Sequence, residues 1–221
     1  MIPRLLIDTA QIPGGGELRL YRRAEEFSIM LGGNELMNSR LSGSEEVLAE
    51  LVCERIGGRA NPKLLIGGLG MGFTLRAALA ALGPDARIEV AELVPAVIAW
   101  ARGPLAPLFG GSLADSRVQL IEADVAGLID TARGYDAILL DVDNGPDGLV
   151  RDDNERLYQP AGLARAKAAL RPGGMLAIWS AAPHRSFAQR LRAAGFAVEE
   201  VPVRAAGGRG ARHVIWLART G

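Results

Sequence analysis

From Lys63 onward, short apolar runs alternate with stretches of helical periodicity, and this alternation constrains the fold more than any other feature of the chain. Leu64 to Gly68, Arg87 to Glu92, Arg117 to Ile121, Asp136 to Asp141 and Met175 to Ser180 read as strands, with helix-spaced apolar residues between them. Strands joined by crossover helices build βαβ units, and parallel strands buried on both faces read as unbroken apolar runs, as Ala137 to Leu140 does. Two later runs, Phe196 to Val203 and Arg212 to Ala218, are separated by a turn containing Gly207, Gly208 and Gly210. That turn is too short for a crossover helix, so the two runs are expected to pair antiparallel. The expected fold is α/β: a doubly wound, Rossmann-like, mostly parallel seven-stranded sheet with an antiparallel C-terminal hairpin.

The residues before this region read differently. Period-two stretches in Glu17 to Arg22 and Glu26 to Leu31, punctuated by Gly14 to Gly16 and Gly32-Gly33, suggest a small β appendage over residues 1–43. Residues 44–221 are then expected to form the main Rossmann-like domain. Ser42 and Glu45 have capping-box spacing, and Val47, Leu48, Leu51, Val52 and Ile56 continue at helical intervals to Gly57-Gly58, so a helix is expected to link the two parts. Cys53, the chain's one cysteine, falls in this pattern and reads as core packing.

Composition narrows the class further. The 221 residues carry 25 basic and 25 acidic side chains, a balance that gives no general electrostatic reason to expect a nucleic-acid or membrane partner. Apolar runs stay well short of the roughly 18 residues of a membrane span, and the first residues lack a signal peptide's order of charge, so a cytoplasmic protein is expected. Histidine, cysteine and carboxylate residues show no metal-ligand spacing, and no metal is expected.

The candidate site lies at the strand ends. Leu64-Leu65-Ile66 runs into Gly67-Gly68-Leu69-Gly70-Met71-Gly72, and a helical pattern begins at once. Glycines at such a junction let the backbone turn tightly and approach a ligand closely, though they serve equally in a plain strand-to-helix connection. Glu92 ends the second strand twenty residues beyond Gly72, where a carboxylate can accept from ribose hydroxyls. Asp124 follows the third strand, within reach of an adenine amino group. Asp141 ends the fourth, again on the carboxyl edge where open α/β sheets place ligands.

The order of these motifs resembles the spermidine synthases, the polyamine aminopropyltransferases, and their relatives of the class I S-adenosylmethionine-dependent methyltransferase fold. The resemblance spans roughly residues 17–180. It rests on the loop, on Val90-Ala91-Glu92-Leu93-Val94-Pro95, on Glu122-Ala123-Asp124, on Tyr135-Asp136-Ala137-Ile138-Leu139-Leu140-Asp141 and on Leu170-Arg171-Pro172-Gly173-Gly174. It implies that Gly67, Gly68, Gly70, Gly72 and Glu92 hold the nucleoside's thioether and ribose, that Asp124 meets adenine, and that Asp141 lies beside the transferred group. It also implies a dimer built with the appendage.

The chain departs from that family in three places. Gly70 stands where an aspartate helps fix the donor's ammonium, Asn144 stands near a second aspartate of the strand-four loop, for which Asp143 partly substitutes if the register shifts by one, and Trp179-Ser180-Ala181-Ala182-Pro183 replaces an acidic stretch. A dication in a partly dry pocket short of carboxylates is unfavourable by several kcal/mol in order of magnitude. The expected function is therefore methyl transfer from S-adenosylmethionine to a small-molecule acceptor. Aminopropyl transfer from decarboxylated S-adenosylmethionine is the alternative, and a noncatalytic nucleoside-binding module a third reading.

Other residues have mixed expectations. His184, at a helix start, is a surface residue or a general base; His213, in the last strand, is a weaker candidate for acid–base work. Met71, Tyr158 and Trp179 line the pocket or pack. The run Arg151 to Arg156 is a solvated helix approach or a lid.

Overall fold

The computed structural model describes residues 2–13, 15–142, 156–206 and 209–221. The expected architecture is present. Strands β5 (Lys63–Gly67), β6 (Arg87–Glu92), β7 (Val118–Glu122), β8 (Tyr135–Leu140), β9 (Leu170–Ser180), β10 (Ala197–Ala206) and β11 (Arg209–Arg219) form one sheet in the order β10-β11-β9-β8-β5-β6-β7. The ladders from β9 through β8, β5 and β6 to β7 are parallel, whereas β10 with β11 and β11 with β9 are antiparallel.

Period-two burial in the central strands explains the layers. Leu64 and Ile66 of β5 join one apolar cluster with Leu48 and Val52 of α1 (Gly43–Arg55), Leu75 and Leu79 of α2 (Phe73–Ala81) and Trp100 of α3 (Pro95–Arg102). Leu65 joins a second cluster, with Ile129 of α5 (Val125–Thr131), Leu163 of α6 (Pro160–Ala169) and Leu191 of α7 (Arg185–Ala193). A short helix, α4 (Ala106–Phe109), follows α3. Adjacent residues of one strand thus face opposite helical layers, which is why β5 has no polar face.

The N-terminal region is a four-stranded antiparallel sheet in the order β1 (Leu5–Gln11), β2 (Glu17–Arg23), β3 (Glu26–Leu31), β4 (Asn34–Asn38). Leu18, Leu20, Phe27 and Ile29 turn inward and enter the same cluster as α1 to α3. Two of these strands escape the sequence pattern. β1 leaves Leu5, Leu6 and Ile7 exposed, so an edge strand carries no apolar–polar alternation to read. β4 is five residues long and begins straight after the Gly32-Gly33 turn. Strand β9 begins at Leu170, five residues before the expected Met175, because Gly173 and Gly174 bond to the main chain of Gly221 and Thr220. Cys53 lies in the core, where burial pushes its thiol up to about 12.

Candidate active site

The loop after β5 is shaped by what presses on it. Gly68 has φ +92°, and a Cβ there would sit 2.4 Å from the carbonyl oxygen of Asp141. The backbone closes around it, with Gly68 N–H donating to Ala91 at 2.9 Å and Asp141 N–H donating to Gly67 at 3.0 Å. Strand ends β5, β6 and β8 are thereby drawn together, a juxtaposition that only glycine permits. Gly67 completes β5 against Val125, and Gly72 is the N-cap of α2. Gly70 also lies in the left-handed region, at φ +49°, with a Cβ position 2.8 Å from Cε of Met37. The place of the family's aspartate is thus covered by a thioether from the N-terminal sheet.

Glu92 is buried and organises this loop. Its carboxylate accepts from Leu69 N–H at 3.0 Å and from Val94 N–H at 2.8 Å. Burial raises its pKa, against the lowering effect of those and neighbouring main-chain donors. Asp124 caps α5 through Ala126 N–H at 2.9 Å and pairs with Arg156.

Asp141 accepts a hydrogen bond from the Thr74 hydroxyl at 2.6 Å, and that hydroxyl lies 3.4 Å from the main-chain carbonyl of Glu45. Burial first, and the charge of Glu45 second, push Asp141 up to about 7 against the Thr74 bond. Burial raises Glu45 as well. The capping-box reading of Glu45 is therefore corrected: Ser42 occupies the N-cap without a side-chain bond, and Glu45 lines the cleft. Glu45 receives its hydrogen bond from Ser44 Oγ, at 2.6 Å.

One cleft brings together Glu45, Glu92, Asp124 and Asp141 with Gly68, Gly70 and Gly72, and no Lys, Arg or His is among its described lining residues. Ile12, Leu18, Ile29 and Met37 from the N-terminal region form its apolar wall. Gly67 lies just behind this lining, at the end of β5. Met71 lines the cleft but is almost wholly buried, and Trp179 lines it with an indole N–H that has no acceptor among the described residues. Among the described residues no cluster of His, Cys, Asp and Glu suits a metal ion.

The histidines exchange importance. His184 is the N-cap of α7, its Nδ1 accepting from Phe187 N–H at 3.1 Å. His213, the weaker candidate from sequence, has its ring edge-on to Trp179 at 4.7 Å and its Nδ1 2.9 Å from Ser44 Oγ. Tyr158 packs edge-on to Phe187. Asp143, Asn144 and Arg151 to Glu155 lie outside the described residues. Ser44 and Thr74 went unread in the sequence, and Glu45 was read only as a helix cap. The available signal was a pair of glutamates at a helix start, where a capping box needs one.

Fold and cleft together set a carboxylate-lined pocket at the carboxyl edge of a doubly wound sheet. No protein-family model matches the chain. In sequence it is similar to the polyamine aminopropyltransferase of Mycobacterium tuberculosis, 30% identical over 192 residues covering 82% of this chain and 35% of that protein. The polyamine aminopropyltransferase of Corynebacterium efficiens is 35% identical over 138 residues, 61% of this chain and 25% of the relative. The chain thus spans about a third of the length of the first of these relatives and a quarter of the second. In fold it matches spermidine synthase from Thermotoga maritima with a TM-score of 0.78 at 18% identity, over 98% of this chain and 73% of that one. The resemblance carried by the strand-end motifs therefore holds in both sequence and fold.

Methyl transfer, the expected function, is overturned by the same findings. The relatives are aminopropyltransferases. The inference that the pocket was short of acid also fails, because Glu45 brings from α1 a carboxylate that the strand-four loop was thought to lack. Among the described residues no helix is long and apolar enough to cross a membrane.

Proposed function

We propose that this chain transfers an aminopropyl group from decarboxylated S-adenosylmethionine to a small-molecule amine. The observation that carries this reading is the charge of the cleft, where four carboxylates line the wall and no basic side chain stands among the described lining residues. A donor bearing a sulfonium and an ammonium suits that wall. The carboxylate of S-adenosylmethionine would meet like charges, while Arg156, the cation beside this wall, is paired with Asp124 at its adenine end.

In this reading the backbone at Gly67, Gly68, Gly70 and Gly72 admits the donor's sulfur end. Glu92 receives the ribose hydroxyls, and Asp124 faces the adenine amino group. Asp141 and Glu45 hold the acceptor. The donor supplies an electrophilic methylene beside its sulfonium. The acceptor arrives as an ammonium and loses a proton to the carboxylate pair. Its nitrogen lone pair then forms the C–N bond as the C–S bond breaks, the electron pair staying on sulfur as a neutral thioether. One proton is released per turnover. A carboxyl with a pKa of about 7 is matched to accepting it near neutral pH.

The test is product analysis by mass spectrometry with putrescine or spermidine as acceptor and either donor. An aminopropylated amine with stoichiometric methylthioadenosine, from the decarboxylated donor alone, is expected. A folded protein that binds neither donor in calorimetry, or that yields no aminopropylated product, refutes the reading.

A further inference from the structure

Aminopropyl transfer leaves one proton shared between the half-buried carboxylates of Asp141 and Glu45, which are coupled by charge across the cleft, and it must depart before the next turnover. We propose that it leaves by a side-chain relay from Glu45 through Ser44 to His213, making Ser44 and His213 positioning residues that reset the acceptor site. The inference rests on the aminopropyl-transfer reading.

Three elements distant in sequence build the relay. Ser44, at the start of α1, is fully buried, and its hydroxyl stands 2.6 Å from Glu45 Oε2 and 2.9 Å from His213 Nδ1 of β11. A serine hydroxyl donates one hydrogen bond and accepts others, so it can pass a proton on without becoming charged. With Glu45 protonated, the carboxyl donates to Ser44 and Ser44 donates to Nδ1. The proton transfers along both bonds, making an imidazolium, and Nε2 then releases its own proton. Afterwards Nδ1–H donates to Ser44, and Ser44 donates to the Glu45 carboxylate. The ring is then the Nδ1–H tautomer, and proton exchange with solvent returns it to Nε2–H, with Nδ1 again an acceptor, before the next turnover.

The surroundings suit this direction. His213 is half-buried, and Trp179 packs edge-on against it and fixes its plane. Burial holds the imidazole below the ordinary histidine range, so it does not retain the proton at neutral pH. The other charged groups about the relay are Asp141 at the end of β8, Glu46 on α1 and, 3.9 Å from Glu46, Arg76 of α2. Trp179 on β9 and Val203, which pairs with His213 from β10, add no charge.

Two measurements on the full chain test the proposal. The first needs no turnover: the His213 imidazole is titrated by nitrogen-edited NMR in the wild type, in Glu45→Gln and in Ser44→Ala. Glu45→Gln is expected to lower the His213 pKa by removing a neighbouring negative charge, and Ser44→Ala to abolish the Nδ1 hydrogen-bond signature. An imidazole indifferent to both substitutions overturns the relay whatever the activity. The second is turnover with the decarboxylated donor in weak buffer. His213→Ala is expected to lower kcat about tenfold with the acceptor KM unchanged, and added imidazole to restore it. Ser44→Ala is expected to lose as much without rescue, since the break lies inside the protein. A full rate in His213→Ala, or a loss that imidazole leaves untouched, overturns the relay while aminopropyl transfer stands. Absence of aminopropylated product in the wild type refutes the functional reading itself, and the relay falls with it.

Discussion

The two walls of the cleft are built in different ways. The wall proposed for the donor, formed by the glycine loop, Glu92 and Asp124, comes from consecutive strand ends of one parallel sheet, each residue at or just past the end of its strand. The acceptor wall gathers Glu45 from α1, Asp141 from β8, Thr74 from α2, Met37 from the N-terminal sheet and Trp179 from β9. The first wall follows from topology alone, since any doubly wound sheet with these strands places their carboxyl ends together. The second depends on how helices and an added sheet pack over those ends, and no local spacing records it.

The sharpest test of the acceptor wall is Asp141→Asn. Loss of the charge that receives the acceptor's proton is expected to lower turnover by a hundredfold or more, with donor affinity little changed. The stability effect has the opposite sign. A carboxyl whose folded pKa of about 7 exceeds its unfolded value costs nothing where both states are protonated, and costs progressively more as pH rises from about 4 through about 7. The amide escapes that cost, which is bounded by about 1.4 kcal/mol per pKa unit. Asp141→Asn is therefore expected to melt higher than the wild type at pH 8 and alike at pH 4. If Asp141 served only to hold the turn, the variant would melt lower and keep its rate per folded molecule.

On the donor wall the corresponding residue is Glu92. Glu92→Ala is expected to weaken nucleoside binding by about 1.5–3 kcal/mol, roughly ten- to a hundredfold, as hydrogen bonds to a charged group are lost. It also strips the acceptor from Leu69 and Val94 N–H, so melting should fall too. Glu92→Gln keeps the shape and an acceptor oxygen, and separates the two effects: calorimetry with the decarboxylated donor should show intermediate affinity. Unchanged affinity in a folded Glu92→Ala would remove the ribose assignment.

Glu45→Gln probes how the acceptor wall is coupled. Removing its charge relieves part of the repulsion that raises Asp141, so the acidic limb of the kcat pH profile is expected to move to lower pH. The acceptor KM should rise about tenfold, in the range of one charge-assisted hydrogen bond. A profile that stays in place would mean that Glu45 and Asp141 act independently.

The same contrast explains what the sequence could reveal. Glu26–Leu31 and Arg87–Glu92 are legible to the residue because each is bounded by turn residues and patterned by its buried face. Glu92, Asp124 and Asp141 are legible because a strand end is a position in sequence as well as in space. Glu45 resisted the same reading. Three residues after Ser42 it satisfies a local rule, and only the packing of α1 against α2 turns it to the cleft. His213 sits 169 residues from the serine it meets, and in an edge hairpin no periodicity marks it for chemistry. Met37 over Gly70 is likewise a contact between separate sheets, although the glycine itself was read as the main departure from the resembling motif.

Gly70 carries the smallest expected effect, and it joins the two walls. Restoring an aspartate here should favour the decarboxylated donor over S-adenosylmethionine, since a carboxylate would meet the terminal ammonium and repel a donor carboxylate. The structure sets two costs against that gain. The left-handed backbone at φ +49° is open to aspartate at a penalty of about 1–2 kcal/mol. The new Cβ would meet Met37, but at the far end of a flexible side chain that can swing aside. Gly70→Asp is therefore expected to fold with a lowered melting temperature and to shift the donor preference only severalfold. Gly70→Asn carries similar strain without the charge, so the difference between the two variants in calorimetry isolates the electrostatic part. Adding Met37→Ala should recover stability in Gly70→Asp if the thioether is what crowds the side chain. If Gly70→Asp and Gly70→Asn bind the two donors in the same ratio, the side chain at this position does not face the donor's ammonium. The loop would then admit the donor through its backbone alone, and selection between donors would rest on the carboxylates already lining the cleft.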